Sequence, residues 1–288
     1  MAKHTVHIIA GPTASGKTAF ALNLAQETNG IVINCDSMQI YNGLPILTAQ
    51  PTAEEKSRAP HRLYGVLQPG DPCSAGIWRE MAAKEIEDAF AAGKTPIICG
   101  GTGLYIKTLM EGLSPIPPTP KNIRAAAVKK QEELGNPGFY EELGKRDPES
   151  AARFHPNHTA RLVRAWEVLE ATGKTIGDWQ RETKDAPPAD WQFEIHKIMP
   201  EREELYRRCN ERFLKMIENG ALEEIKTFAA KIETSEIPTT TPLKNALGFP
   251  SLLDYIKSNI SLETAIAQSQ AQTRQYAKRQ TTWFKHQL

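Results

Sequence analysis

The 288 residues exceed the usual length of one domain, about 100–200 residues, so two lobes or a core with an insertion are expected. Apolar residues make up 40% of the chain, enough for a sizeable core, and the formal charge of +1 excludes binding to nucleic acid through overall basicity. Four scattered cysteines (Cys35, Cys73, Cys99 and Cys209) form no C-x-x-C pair, so neither a zinc site nor a disulfide framework is suggested.

An apolar run, Val6 to Ala10, interrupted by His7, opens the chain and predicts a strand. It starts almost at the N-terminus, and no apolar run approaches the roughly 20 residues that span a bilayer, so a cytoplasmic protein with no leader and no membrane contact is expected. After the strand comes Gly11-Pro12-Thr13-Ala14-Ser15-Gly16-Lys17-Thr18, then a helical pattern with Phe20, Leu22, Leu24 and Ala25. Strand, glycine-rich loop and helix are the context of a phosphate-binding loop. Backbone N–H groups and a helix N-terminus receive the phosphate, Lys17 neutralises its outer oxygens, and the Thr18 hydroxyl can hold Mg2+.

Ile31 to Cys35 predicts a buried parallel strand that delivers Asp36-Ser37-Met38-Gln39 to its C-terminal end, the edge where ligands sit. Asp36 is a candidate Mg2+ ligand or general base, with a helix cap as the alternative. Residues 42–75 read as irregular, 77–92 as a helix ended by Gly93, and Pro96 to Cys99 as a third strand. Gly100-Gly101-Thr102-Gly103-Leu104-Tyr105 follows that strand as a second glycine-rich loop, either a site or a tight turn. These repeated units predict an α/β fold, a doubly wound parallel sheet like that of the P-loop NTPases.

Four prolines between Ser114 and Pro120 mark a stiff connector, and residues 122–172 have helical spacing with no strand. The division expected is a core of residues 1–118 and 186–288 with an all-helical insertion, 119–185. Phe193 to Met199 can return to the sheet, and 201–219 and 262–286 read as long helices with less regular chain between them. Arg202, Arg207, Arg208 and Arg212 are interspersed with Glu203, Glu204 and Glu211 and read mainly as a solvated face. Arg161 and Arg164, and Lys278 and Arg279 interleaved with Tyr276 and Trp283, suit an RNA partner.

Residues 11–18, Asp-Ser-Met-Gln-Ile-Tyr (36–41), Gly-Gly-Thr-Gly-Leu-Tyr-Ile-Lys (100–107), Asp147-Pro148, Arg161-x-x-Arg164 and Tyr-Ala-Lys-Arg-Gln-x-x-Trp-Phe (276–284) together resemble the bacterial tRNA dimethylallyltransferases. The resemblance covers nearly the whole chain. It implies Mg2+-dependent transfer of a dimethylallyl group from dimethylallyl diphosphate to the exocyclic amine of the adenosine just 3′ of the anticodon. It assigns Asp36 as general base, Lys17 and Thr102 as catalytic partners, and Gly11 to Thr18 as the diphosphate cradle. For the tRNA anticodon stem-loop it implies contacts from Asp36, Ser37, Met38, Gln39, Thr102, Arg124, the helix Ala160-Arg161-Leu162-Val163-Arg164, and Lys278, Arg279 and Gln280. A monomer is the default expectation. Departures from the family pattern fall at Leu47, Gln50, Arg62, Ala160, Trp166 and residues 246–250. Prenyl transfer to a free adenine nucleotide would not need the helical insertion, a nucleotide kinase leaves the second glycine loop unexplained, and intact Lys17, Thr18, Asp36 and Thr102 argue against a non-catalytic RNA-binding module.

Overall fold

A computed structural model describes residues 3–288. Five strands, β1 (His4–Ala10), β2 (Gly30–Asn34), β3 (His61–Arg62), β4 (Thr95–Gly100) and β5 (Trp191–Lys197), form one parallel sheet in the order β3-β2-β4-β1-β5. Strands β2 and the central part of β4 are buried on both faces, which is why they read as continuous apolar runs. Alternation assigns the faces. Ile9, Val32 and Ile97 pack against Ala21, Leu22 and Ala25 of α1 (Lys17–Thr28). Val6, Ile8, Ile33 and Ile98 point the other way. The sheet is therefore doubly wound, as expected.

The stretch expected to be irregular holds β3 and a short helix, α2 (Ala53–Arg58). Thr52 and Glu55 close a capping box at its start, but six residues, five of them polar, carry no apolar period to reveal it. Helix α3 (Ala75–Ala91) starts where the Ser74 side chain accepts the Ile77 N–H, and stops at Ala92, before Gly93 turns to φ +64°. It buries Trp78, Ala82 and Ile86 on the face opposite α1, beside Tyr105 and Ile106 of α4 (Gly103–Glu111). Trp78 stacks on Tyr105 with ring centroids 4.6 Å apart and donates its indole N–H to the Asn34 carbonyl at 2.9 Å.

The described chain divides into two compact units, residues 1–110 with 188–288 and residues 111–187. The second unit begins before the proline-rich connector, and Leu113 bridges Asp185 near its two ends. It contains α5 (Lys121–Arg146), broken at Gly135 (φ +61°) ahead of Pro137, then α6 (Pro148–Arg153), α7 (Thr159–Thr172) and α8 (Ile176–Arg181). Phe139, Leu143, Leu162, Val163, Trp166 and Val168 form its own hydrophobic core.

The first unit resumes with β5, parallel to β1, and α9 (Arg202–Glu218). The segment expected to be less regular contains α10 (Ala221–Glu233), a 3-10 turn (Pro242–Asn245) and α11 (Phe249–Ile256), followed by α12 (Leu262–Gln287). Both missed helices start at a left-handed glycine, Gly220 and Gly248, with no capping side chain, and Pro250 makes the second start read as a turn. Their apolar stripes, with Ile225 and Phe228 in α10 and Phe249 and Leu252 in α11, are buried in the main core. Tertiary packing stabilises helices whose own start signals are weak.

Candidate active site

The phosphate-type loop leaves β1 at the C-terminal edge of the sheet. Gly11 has to be glycine, because a Cβ would lie 2.3 Å from the Ile198 carbonyl oxygen at the end of β5. Gly16, at φ +98°, turns the chain into α1 with no side-chain cap, leaving the first amides of that helix to face the loop. The buried Ser15 hydroxyl has no hydrogen-bond partner among the described residues. Lys17 folds back so that its Nζ donates to the Pro12 carbonyl at 2.7 Å. Burial depresses the Lys17 ammonium to about 8; the cationic Arg212 pushes the same way, and the Asp36 carboxylate opposes both. Thr18 is exposed on the first turn. An uncapped helix start, an unpartnered hydroxyl and a lysine held at the loop form a cradle suited to an anion.

Asp36 stands at the end of β2, next to this cradle. Its position is set by Asn34, which is fully buried. The Asn34 amide accepts the Asp36 N–H at 2.8 Å and donates to the carbonyls of Asp36 at 3.0 Å and Leu63 at 2.9 Å. Asp36 Oδ1 takes the Met38 N–H at 2.9 Å and closes a turn, not a helix start as the capping alternative had it, while Oδ2 keeps its acceptor capacity. Opposite, Gly100 and Gly101 leave β4. A Cβ on Gly100 would fall 2.1 Å from the Cys35 carbonyl oxygen, so the second glycine loop lies tight against the Asp36 loop. Thr102 completes the join: its N–H donates to Cys35 at 3.1 Å and its Oγ1 accepts the Ser37 N–H at 3.0 Å. Gln39 donates to the carbonyls of Thr48 and Ala49 at 2.9 and 2.8 Å, and Ser37 and Met38 are half-buried beside it. Asn34 was not expected from sequence. A polar residue inside an apolar strand run was its signal.

Helices α9 and α12 contribute groups that correct two expectations. The arginines of α9 are not one solvated face. Arg207 does pair outward with Glu204 and Glu211, but Arg208 donates to the Ser15 carbonyl at 3.2 Å and Arg212 to the Thr13 hydroxyl. Burial pulls the Arg212 guanidinium below its ordinary range. Arg212 falls at the spacing of the buried stripe Leu205, Cys209, Phe213 and Met216, a signal that an even count of charges hides. Gln280, expected among the tRNA contacts, is buried with both ends of its amide in use. Oε1 accepts the Thr13 N–H at 2.7 Å and Nε2 donates to the Gly101 carbonyl at 2.8 Å. Its neighbours Lys278 and Arg279 are exposed and flank Trp283. Tyr276, one turn before Gln280, is held protonated by burial and by the Asp36 charge, which push its hydroxyl up to about 12.

The phosphate-type loop, Asp36, the second glycine loop, Arg208, Arg212 and Lys215 open into one cavity of about 850 Å³. Pro45, Ile46, Ala49, Tyr64 and Met216 add apolar surface to its lining, among the polar Gln39, Gln50 and Glu55. A cavity that brings cationic groups, apolar surface and the Asp36 carboxylate together suits a short hydrocarbon carrying a phosphate group.

Residues 39–287 match the sequence profile of the family described as IPP transferase. The chain belongs to the IPP transferase family. It is 47% identical over 287 residues to the tRNA dimethylallyltransferase of Rhodospirillum centenum, covering 100% of this chain and 90% of that protein. The enzyme of that name from Paramagnetospirillum magneticum is 48% identical over 98% of this chain and 88% of its own. Among solved structures, the tRNA isopentenylpyrophosphate transferase of Bacillus halodurans has a TM-score of 0.68 at 33% identity, over 99% of this chain and 88% of that one. A eukaryotic dimethylallyltransferase acting on tRNA has a TM-score of 0.83 at 30% identity, over 98% of this chain and 70% of that one.

In the helical unit of this IPP transferase family member, Ala160 and Arg161 are exposed at the start of α7, whereas Leu162 and Val163 are core residues. A helix turns its side chains by about 100° per residue, so the five consecutive positions named from sequence cannot share one face. The side chains of Leu162 and Val163 are therefore corrected from contact residues to packing residues. Arg124 and Arg164 converge on Glu167, which is 1% exposed, at 3.1 and 2.7 Å. Arg164 also donates to the Thr119 hydroxyl at 3.0 Å. No helix among the described residues is long and apolar enough to cross a membrane.

Proposed function

We propose that this chain transfers a dimethylallyl group from dimethylallyl diphosphate to the exocyclic amine of the adenosine 3′-adjacent to the anticodon in tRNA, releasing diphosphate. The observation that carries the proposal is the single cavity lined by the phosphate-type loop, the Asp36 carboxylate and the apolar Ile46, Ala49 and Met216. The substrate's diphosphate lies against the loop amides, Ser15, Lys17, Arg208 and Arg212, and its five-carbon tail against Ile46, Ala49 and Met216. The adenosine amine approaches from the side of Asp36 and Thr102, which requires the base to leave its stack.

The reaction breaks the bond between the allylic C1 and the diphosphate oxygen and forms a bond between C1 and nitrogen. The leaving oxygens gain charge, and the fixed cations and helix N-terminus stabilise that charge without reorganising. The amine is a weak nucleophile because its lone pair is delocalised into the ring. Asp36 accepts its proton as the C–N bond forms, a contribution of about 10²–10⁴ in rate for a positioned base. Asn34 and the Met38 amide hold the carboxylate in place. The donor set at the cradle fits Mg2+: Thr18 and Ser15 offer hydroxyls and Asp36 a carboxylate, hard oxygens of the kind this ion takes together with substrate phosphates. Bound there, Mg2+ would neutralise charge on the diphosphate. Thr18, with Asp36 close by, would hold it.

Arg161, Arg124 and Arg164, with Lys278 and Arg279, supply cations for the tRNA backbone. The reading needs a single copy of the chain, because Lys17, Asp36, Thr102 and Arg212 all come from it, and it sets the reaction in the cytoplasm with its tRNA substrate.

The test is one incubation of purified protein with Mg2+, dimethylallyl diphosphate, unmodified tRNA, and AMP and ATP as competing acceptors, followed by mass spectrometry of the nucleosides. A dimethylallyl mass gain on tRNA adenosine alone is the expected result. A prenylated free nucleotide would replace the acceptor, and ATP consumption without prenyl transfer would overturn the proposal in favour of a kinase.

A further inference from the structure

Away from the cavity, the edge strand β5 carries a cluster that the reaction does not use. Glu194 of β5 is in register with His7 of β1, and His196 lies two residues further along β5. In a strand, residues two apart share a face, so all three side chains project from the same side of the sheet, the side where Ile9 meets α1. The Phe20 ring of α1 lies 5.2 Å from that of His196 and closes one flank.

His7 Nδ1 lies 3.1 Å from His196 Nε2. Glu194 lies against both rings, with Oε2 3.7 Å from His7 Nδ1 and Oε1 3.4 Å from His196 Nε2. The 3.1 Å between the two ring nitrogens is close to the spacing of two ligands around a tetrahedral zinc ion, and the carboxylate offers one oxygen to each ring. With zinc–nitrogen and zinc–oxygen bonds of about 2.0–2.1 Å, tetrahedral ligands stand about 3.3–3.4 Å from one another. Burial supports the match. The His7 and His196 side chains are 12% and 22% exposed, which limits their rotamers, while Glu194 at 55% leaves a route from solvent. A hydrogen-bonded imidazole pair alone would not need a carboxylate placed against both nitrogens.

We infer that His7, Glu194 and His196 form a binding site for a divalent transition metal, zinc foremost, that clips the edge strand β5 to β1. Two imidazoles and one carboxylate are a donor set that zinc takes with water in the fourth position. The clip lies two residues before Ile198, whose N–H donates to the Ala10 carbonyl at 2.8 Å and whose own carbonyl lies against Gly11. A metal here would secure the strand that backs the phosphate-type loop without touching the reacting groups.

The experiment uses full-length protein without a histidine tag, stripped with a chelator and titrated with ZnCl2 against a chromophoric zinc indicator. One equivalent is expected to bind with a Kd in the micromolar range or below. At a hundredfold excess over Kd, Tm should rise by about 5 °C. His196→Gln should weaken binding at least tenfold and abolish the Tm rise. Glu194→Gln, at an exposed position, repeats the test where the histidine variant lowers the metal-free Tm. Absence of stoichiometric zinc binding by the parent protein would overturn the inference, as would binding unchanged in both variants, which would place the metal elsewhere.

Discussion

Gln280 accepts the backbone N–H of Thr13 at 2.7 Å, across 267 residues of sequence, and its other amide end donates to Gly101 at 2.8 Å. One side chain of the last helix thereby ties the two glycine-rich loops together. Because Gln280 is buried, Gln280→Ala leaves two backbone groups without partners, each costing about 1–3 kcal/mol. The variant should lose stability in urea unfolding and show a raised KM for dimethylallyl diphosphate. Gln280→Glu, which keeps an acceptor for Thr13 but removes the donor to Gly101, should lie between the variant and the parent. Unchanged stability and KM in Gln280→Ala would mean that the loops hold their form unaided.

Asp36 divides its carboxylate between the Met38 turn and the cavity. Asp36→Asn keeps an oxygen acceptor for the turn but loses the base, and should lower kcat by about 10²–10⁴ with tRNA affinity nearly unchanged. Single-turnover prenyl transfer measures the first and filter binding the second. Near-parental turnover would remove Asp36 from the role of base.

Arg161 and Arg164 of the helical unit should behave differently. Arg161 is exposed with no ion pair among the described residues, so Arg161→Ala should weaken tRNA binding and reduce the slope of log K against log salt by about 1. Arg164 is committed to Glu167 and Thr119, so Arg164→Ala should change the salt slope less and instead cost about 1 kcal/mol of stability, a figure limited by the solvent at its half-exposed side chain. Equal salt slopes in the two variants would contradict this division.

Lys17 gives the ligand-free site a pH dependence. Its folded-state value of about 8 lies below its ordinary 10.5, because burial penalises the ammonium. Below pH 8 the side chain is charged and binds anions; as pH rises through 8 it becomes neutral, and affinity for inorganic pyrophosphate should fall, approaching ~10-fold per pH unit. Isothermal titration between pH 6.5 and 9.5 measures this. Lys17→Arg, whose guanidinium stays charged, should lack the break, which separates the lysine from titration of the ligand itself. The same break in both proteins would assign it to the ligand.

Elements whose signal is local were legible in the chain. The runs Val6 to Ala10, Ile31 to Cys35 and Pro96 to Cys99 marked strands of the parallel sheet, and Gly11 to Thr18 marked the loop at its edge. Helices α10 and α11 were not, because their starts rest on left-handed glycines and their stability on the core. The roles of Asn34, Arg212 and Gln280 were hidden for a related reason. Each is defined by a partner distant in sequence: Asn34 by Leu63, Arg212 by Thr13, and Gln280 by Thr13 and Gly101.

By itself, then, the sequence determined four of the five strands, the phosphate-type loop and the position of Asp36, because hydrophobic period and glycine spacing act over a few neighbouring residues. Only the tertiary structure decided which arginines of α9 face the loop, that Leu162 and Val163 are core, and that Gln280 latches the site. A charge or an amide gains its role from what it is packed against, and burial is a property of the folded chain.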